Sequence, residues 1–281
     1  MGNIIRPDIA VITQIGESHL EGFGSIERIA AEKSSIAKYV QAGGAIIANG
    51  DNPILIRLIS HPQATIFSFG TSEDNDIRVS EIKQKRNGIH FLVNGKFPFF
   101  VPIIGRHNAI NCLAAIIIAR RMGFEMEEIN EALQDFSLPD MRLTIKEIDN
   151  VTFINDAYNA NPVSMSAAID VLNNFPCKGK KILCFGQMLE LGKKAEQFHC
   201  EIARKIGKSK INCLIAIGEF AKTIRNEAIK SGLQREKCFV ADNAKQAKEI
   251  LENIIETNDV VLIKGSRATK METIIENITT S

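Results

Sequence analysis

The chain alternates short runs of β-branched residues with longer amphipathic stretches, which is the order of elements expected of an α/β fold. In the first half, an apolar run predicts a buried strand over Asp8–Thr13, and helical spacing predicts a helix over Ser25–Val40 with Ser25 as its N-cap. Alternation on either side of Arg86-Asn87-Gly88 predicts an antiparallel hairpin within Ile77–Val93. The first sheet is therefore predicted to be mixed.

A break in the pattern follows the helices predicted over His107–Met122 and Glu125–Phe136, at Ser137-Leu138-Pro139-Asp140. We place the boundary between two domains there, which gives residues 1–139 and 140–281. The second domain alternates strands and helices regularly and is predicted to hold a parallel, doubly wound sheet, whose ligands bind beyond the carboxyl ends of the strands. Its predicted strands are Thr152–Asn155, Lys181–Phe185, Cys213–Ile217, Cys238–Val240 and Val260–Ile263.

Composition narrows the class of protein. The 281 residues are 45% hydrophobic and 24% charged, and 34 basic residues against 33 acidic residues give a net charge of +1. A net charge this small gives no overall electrostatic attraction to nucleic acid or to an anionic bilayer. An anionic ligand must therefore be held by local groups. Six cysteines without a C-x-x-C pair indicate reduced thiols, and the start lacks a secretory signal. We expect a cytoplasmic protein with neither a nucleic-acid nor a membrane partner.

Lys33 falls on the apolar stripe of the helix predicted over Ser25–Val40, where an isolated ammonium is costly. Either its stem lies along apolar surface and its charge pairs with Glu32 or Glu21, or the lysine is modified or associated with a metal. His19 follows the first predicted strand, where such sheets bind ligands. It is either an ordinary loop histidine or a metal ligand.

Polar residues also stand at the start of helices. Asn108 and Asn111 lie one turn apart, so their amides suit the edge of adenine, although capping by Asn108 explains the first of them equally well. After the last predicted strand, Gly265 and Ser266 offer backbone N–H groups and Arg267 offers a fork for a carboxylate or phosphate. Helix capping by Ser266 is the structural alternative.

The segment INDAYNANPVSM is the most polar of these loops. A predicted buried strand ends before Asp156, and Tyr158, Asn159 and Asn161 precede Pro162 and a helix. This sequence suits either a ligand-binding loop or an Asx-rich turn that caps the helix.

Two nucleotide-binding motifs are missing from the sequence. The tail Gly207-Lys208-Ser209 has Ile202 where a phosphate-binding loop needs its first glycine, and no G-x-G-x-x-G is present. A nicotinamide-dependent dehydrogenase is therefore poorly supported.

Taken in order, HLEGFGS, GRHNAINCLAA, MRL, INDAYNANPVSM, GQMLELG and VLIKGSR resemble the Mur ligases, and within that family the branch that adds D-alanyl-D-alanine. The resemblance covers nearly the whole chain. It implies part of the central ATP-binding domain, with a mixed sheet, over residues 1–139, and a Rossmann-like C-terminal domain over 140–281. It also implies an ATP- and Mg²⁺-dependent ligase of peptidoglycan precursor synthesis. Such an enzyme phosphorylates the terminal carboxylate of UDP-N-acetylmuramoyl-tripeptide, and the amine of D-alanyl-D-alanine then attacks the acyl phosphate.

The resemblance also implies roles for single residues. His19 would bind magnesium, and Lys33 would be the family's carbamylated lysine, whose carbamate supports Mg²⁺ and thereby accounts for a buried lysine. Asn108 and Asn111 would contact adenine.

In the second domain, the resemblance assigns Arg142 to the phosphates and Asp156 to the ribose. The substrate loop would be shaped by Tyr158, Asn159, Asn161 and Pro162, with Arg267 on the substrate side.

The sequence departs from the family pattern in two ways. Met1 aligns partway through the central domain, so the phosphate-binding loop is missing, and Ser35 and Gln187 replace a usual Glu and Asp. We expect no ATP turnover by these 281 residues alone, since phosphoryl transfer depends on positioning and charge neutralisation. A separate N-terminal fragment is then a candidate partner. The rival hypotheses are a non-catalytic nucleotide- or peptide-binding remnant, and another Mur or folylpolyglutamate synthase-type ligase.

Overall fold

The computed structural model describes residues 2–17, 20–276 and 278, and the chain divides into two compact units, Met1–Ser137 and Leu138–Ser281. Within the described residues, each unit is built on one six-stranded sheet. No helix in those ranges is long and apolar enough to cross a membrane. We call the two parts the N-terminal unit and the C-terminal unit.

The N-terminal unit contains a mixed sheet, as predicted. Its strands lie across the sheet in chain order: β1 (Ile9–Ile12), β2 (Ala45–Asn49), β3 (Thr65–Gly70), β4 (Ile77–Lys85), β5 (Gly88–Val93) and β6 (Phe97–Val101). The first four run parallel, whereas β4, β5 and β6 are antiparallel, which confirms the hairpin. The helices are α1 (Gly2–Ile5), α2 (Leu20–Phe23), α3 (Ile26–Ser34), α4 (Pro53–Leu58), α5 (Arg106–Arg121) and α6 (Met126–Gln134).

Helix α3 is shorter than the sequence pattern predicts. Ser25 is its N-cap, as expected, but after Ser34 the backbone tightens into a 3₁₀ turn over Ser35–Tyr39. The buried stripe runs through Ala30, Ser34 and Ala37, at spacings of four and three residues. Lys33 lies beside this stripe and is exposed, so the prediction that it is buried is wrong.

Strand β1 also departs from its predicted burial. It forms the edge of the sheet, and its residues alternate between covered and open positions instead of being buried throughout. Val11 is 39% exposed.

The C-terminal unit has a doubly wound sheet with one antiparallel edge strand. All neighbouring strands pair in parallel except β7 (Thr144–Ile148) and β8 (Val151–Asn155), which are antiparallel. The prediction of an entirely parallel sheet is therefore wrong at this edge. Asp149 and Asn150 connect these two strands, and their φ values of 47° and 62° suit a tight hairpin turn. The strand order is β11-β10-β9-β12-β8-β7, with β7 (Thr144–Ile148), β8 (Val151–Asn155), β9 (Lys181–Phe185), β10 (Cys213–Ile217), β11 (Cys238–Ala241) and β12 (Val260–Lys264).

The central strands of this unit are covered on both faces. Every residue of β10 and β12 is buried, as expected for parallel strands between layers of helices. One face packs Phe153, Ile215 and Val261 against Leu251. The helices are α7 (Pro162–Asn174), α8 (Ala195–Gly207), α9 (Ala221–Lys230) and α10 (Ala244–Ile254).

The strand order places three loops side by side. Strand β12 pairs with β8 on one side and with β9 on the other, in parallel register. The loops after these strands therefore share one edge of the sheet, which we call the carboxyl edge.

Candidate functional site

Ser266 joins the three loops of the carboxyl edge. Its side-chain oxygen accepts a hydrogen bond from Leu189 N (2.9 Å) and donates to Ala160 O (3.4 Å), while its backbone N–H donates to Gln187 O (3.0 Å). The residue is 3% exposed, and its hydroxyl makes no helix-capping bond. Ser266 thus stands at the N-cap position of the 3₁₀ turn Arg267–Thr269, but its hydroxyl does not cap that turn and instead fixes the loops to one another.

Asp156 and Lys264 form a buried ion pair at this edge. Lys264 Nζ lies 2.6 Å from Asp156 Oδ2, and the two side chains are 3% and 15% exposed. The ammonium also donates to Asn159 O at 2.9 Å. Burial raises the pKa of Asp156, although Lys264 and the guanidinium of Arg142 both act to lower it. The ammonium therefore supplies the counter-charge for a carboxylate that is largely removed from water.

Arg142 and Tyr158 lie beside this pair on the surface. The guanidinium carbon of Arg142 is 4.2 Å from the centroid of the Tyr158 ring, and Tyr158 is 47% exposed. Stacking holds the guanidinium while its N–H donors stay in the plane of the group, available to an anion. The structure thus places Arg142 next to Asp156 and Tyr158. Arg142 precedes β7, and the other two residues lie in the loop after β8.

The remaining residues of this loop have structural partners. Asn161 is the N-cap of α7, and its Oδ1 accepts a hydrogen bond from Ser164 N at 2.8 Å. Pro162 occupies the first turn of that helix. Asn159 Oδ1 accepts from Ala160 N at 2.8 Å. An Asx-rich turn therefore accounts for the asparagines, and their ligand roles stay predictions.

Arg267 projects from the carboxyl edge into solvent. Its Nη1 donates to Glu272 Oε1 at 2.7 Å, and its side chain is 57% exposed. The guanidinium is held at one end and keeps further donors for an anionic group.

In the N-terminal unit, Asn108 and Asn111 share one face of α5. Asn108 is 7% exposed and its Nδ2 donates to Ile104 O at 2.8 Å. Gly105, with a φ of 102°, is the N-cap, so the alternative in which Asn108 caps the helix is wrong. The exposed Asn111 donates through Nδ2 to Asn108 Oδ1 at 3.3 Å.

The structure describes only one of the two residues assigned to magnesium. Lys33 is exposed, and its Nζ donates to Gln14 O at 3.3 Å, whereas His19 lies outside the described residues. In the described part of the chain, no three His, Cys, Asp or Glu side chains converge in a manner that could hold a metal ion.

His199 is a site-supporting residue that the sequence analysis missed. It is 0% exposed, and its Nε2 accepts a hydrogen bond from Met188 N (3.0 Å) in the loop after β9. Nδ1 must then carry the proton, which it donates to Ala195 O (2.7 Å). A signal was present, because position 199 falls three, four and seven residues before buried positions of α8.

Comparison with known proteins identifies the family. The family model of the Mur ligase middle domain matches residues 1–119, and that of the Mur ligase glutamate ligase domain matches residues 141–267. The chain belongs to the Mur ligase family. This confirms the resemblance seen in its motifs and the expected α/β fold.

Within the family, the similar proteins include ligases that add D-alanyl-D-alanine. The UDP-N-acetylmuramoyl-tripeptide–D-alanyl-D-alanine ligase of Bacillus subtilis is 34% identical over 280 residues, which are 99% of this chain and 60% of the relative. MurF from Acinetobacter baumannii superposes with a TM-score of 0.85 at 27% identity, covering 99% of this chain and 60% of that one. MurF from Thermotoga maritima, solved in complex with ADP, gives 0.81 at 25% identity, covering 96% and 61%. The chain thus spans about 60% of the length of these relatives.

Proposed function

We propose that this chain serves an ATP-dependent ligase that joins D-alanyl-D-alanine to UDP-N-acetylmuramoyl-tripeptide through an acyl phosphate, in peptidoglycan precursor synthesis. The observation that carries the proposal is similarity along almost the entire chain to ligases of that specificity, including the Bacillus subtilis relative. The ADP in the Thermotoga maritima structure supports ATP as the nucleotide.

In the C-terminal unit, we assign nucleotide binding to the carboxyl edge. Asp156 would accept a hydrogen bond from a ribose hydroxyl, because its carboxylate is anchored by Lys264 yet still 15% exposed. Arg142 would bind phosphate oxygens, since the stacked guanidinium presents its donors outward. In the N-terminal unit, the exposed amide of Asn111, steadied by the buried Asn108, would contact adenine.

The substrate-side roles are assigned to residues that keep exposed polar groups. Arg267 would bind a carboxylate of the dipeptide with the donors that Glu272 leaves open. Tyr158, Asn159 and Asn161 would shape the loop beside it. Mg²⁺ enters as the ion that accompanies ATP, with His19 and a carbamylated Lys33 as its candidate ligands; the exposed Nζ of Lys33 is open to modification from solvent.

The first test measures binding of ADP and of D-alanyl-D-alanine to the 281-residue chain by calorimetry. We expect ADP to bind, and Arg142→Ala to weaken it about 10- to 100-fold, the usual effect of losing a hydrogen bond to a charged group. Arg235→Ala is the matched control, because Arg235 precedes β11 at the opposite edge of the sheet. Equal losses in the two variants, or no ADP binding by the unaltered chain, would contradict the nucleotide assignment.

The second test concerns the reaction. Purified chain is incubated with ATP, Mg²⁺ and UDP-N-acetylmuramoyl-tripeptide, and with D-alanyl-D-alanine, L-lysine or L-glutamate as the amine, while phosphate and ligated product are followed. We expect no turnover with any of the three amines, because the sequence contains no phosphate-binding loop. Sustained substrate-dependent phosphate release would overturn the expectation of inactivity, and product with another amine would overturn the specificity.

A further inference from the structure

Lys264 has no role among the ligand contacts proposed above, although it is among the few buried charged residues of the described chain. Its ammonium faces three acceptors: Asp156 Oδ2 at 2.6 Å, Asn159 O at 2.9 Å and Asp156 O at 3.5 Å. An ammonium has three N–H donors, so each has an acceptor within the protein. Lys264 therefore has no donor left for a ligand.

A second lysine–aspartate pair lies at the opposite edge of the same sheet. It is a comparison for the first pair, because its carboxylate is bound only by the protein itself. Lys180 and Asp259 precede β9 and β12, and Lys180 Nζ is 3.6 Å from Asp259 Oδ2. Asp259 is only 1% exposed and donors from the backbone occupy it, including Lys180 N at 2.6 Å. That carboxylate is closed to ligands, whereas Asp156 keeps exposed surface.

We propose that Lys264 is a positioning residue, which fixes the carboxylate of Asp156 and the loop from Asp156 to Asn159 so that this carboxylate can accept a hydrogen bond from a ribose hydroxyl. The inference rests on the proposed function, since the ribose contact is part of it. Without the ammonium, a largely buried carboxylate would lose its counter-charge and would take up a proton or turn towards solvent. Protonation weakens the acceptor, and a turn towards solvent displaces it.

The direction of the pKa shift is consistent with this role. Burial raises the pKa of Asp156, and Lys264 opposes that effect both through its charge and through its hydrogen bond. The guanidinium of Arg142 and the backbone of Leu143 give further support to the ionised form. Loss of Lys264 should consequently raise the pKa of Asp156 further.

The first experiment titrates the ¹³C-labelled carboxyl group of Asp156 by NMR in the unaltered chain, Lys264→Met, Lys264→Arg and Lys180→Met. We expect a higher pKa for Asp156 in Lys264→Met, partial restoration in Lys264→Arg, and no change in Lys180→Met. If Lys264→Met does not fold, Lys264→Gln replaces it, because its amide still offers donors to Asn159 O. An unchanged pKa for Asp156 in the folded neutral variants would overturn the positioning role.

The second experiment compares binding of ADP with binding of 2′,3′-dideoxy-ADP in the same proteins. We expect the unaltered chain and Lys180→Met to prefer ADP about 10-fold or more, and this preference to fall to about 1 in Lys264→Met. A preference retained in Lys264→Met would overturn the inference. If the unaltered chain shows no preference while the NMR shift is present, the ribose contact of the proposed function is wrong and only the coupling of Lys264 to Asp156 survives.

Discussion

Replacement of His199 by Phe removes both hydrogen bonds of the imidazole, to Met188 N–H and to Ala195 O, and leaves most of the packing intact. The imidazole lies between the rings of Phe185 and Phe220, with centroid distances of 5.9 and 4.5 Å, and a phenyl ring can occupy the same space. The change deprives Met188 N–H of its acceptor, and Met188 is 1% exposed. An unsatisfied buried donor costs about 1–3 kcal/mol, so we expect the free energy of unfolding at pH 8 to fall by that amount.

The effect of His199→Phe should depend on pH. Burial lowers the pKa of His199, although the carbonyl of Ala195 and the carboxylate of Glu219 act in the opposite direction. Above the unfolded-state pKa of about 6.5, the histidine is neutral in both states and its full contribution is present. As pH falls from there through the lower folded pKa, the unfolded chain binds a proton that the folded chain resists, so the stability of the unaltered protein declines. The difference in the free energy of unfolding between the unaltered protein and His199→Phe should therefore become smaller towards pH 5.

Tyrosine fluorescence during urea unfolding can report on the relevant unit. The chain has no tryptophan and only two tyrosines, of which Tyr158 lies in the C-terminal unit, so a Tyr39→Phe background isolates its signal. His199→Gln is the matched control, because its amide oxygen can accept from Met188 N–H but does not titrate. It should be more stable than His199→Phe at pH 8 and equally insensitive to acid. A loss below about 0.5 kcal/mol at pH 8, or a difference that stays constant down to pH 5, would refute the reasoning.

Three further outcomes follow from single contacts and buried groups. Ser266→Ala should lower the free energy of unfolding by about 0.5–1.5 kcal/mol, because the partly buried bond from Leu189 N–H to the hydroxyl is lost; urea titration of the Tyr158 signal measures it, and a change within error would contradict the assigned bond. Asn52→Ala should cost about 1 kcal/mol, because Asn52 Oδ1 caps α4 by accepting from Leu55 N at 3.1 Å; the midpoint of Tyr39 fluorescence in a Tyr158→Phe background measures it, and an unchanged midpoint would count against the cap. Burial raises the pKa of Cys184 to about 12, and four of the six thiols are buried. Reaction with a disulfide reagent at pH 8 should therefore modify two thiols in the folded protein and six in urea, and fast reaction of more than two would contradict the assigned burial of Cys112, Cys184, Cys213 and Cys238.

The central strands of the C-terminal unit could be predicted because each is a continuous apolar run. Parallel strands with helices on both faces need apolar residues at every position, so β9 and β10 were found with their observed bounds. Strand β7 escaped prediction because it pairs on one side only and lies open to solvent. Its sequence, TIKEI, has no fully buried residue and no apolar run to detect.

Helix α3 shows how little local error is needed to misplace a side chain. Successive residues of a helix are separated by about 100°, so a stripe assigned one residue too early puts the wrong side chain in the core. The apolar template put Lys33 on the stripe, whereas the buried residue of the last turn of α3 is Ser34. Lys33 precedes Ser34 in the same helix, about 100° away around its axis, and is exposed.

Some residues of the candidate site can be recognised within one segment of the sequence, whereas others depend on two segments that meet only in the fold. Asp156 could be predicted because polar residues directly after an apolar strand are unusual in that segment alone. Lys264 gave no such signal, and Ser266 was noted for its backbone N–H group and as a helix cap, not for a hydroxyl that joins two other loops. Their partners, Asp156 and Ala160, lie 108 and 106 residues away and become neighbours only because β12 returns to a place between β9 and β8. Candidate ligand-binding residues can thus be proposed from their own segment, whereas the residues packed against them require the strand order, which hydrophobic periodicity does not specify.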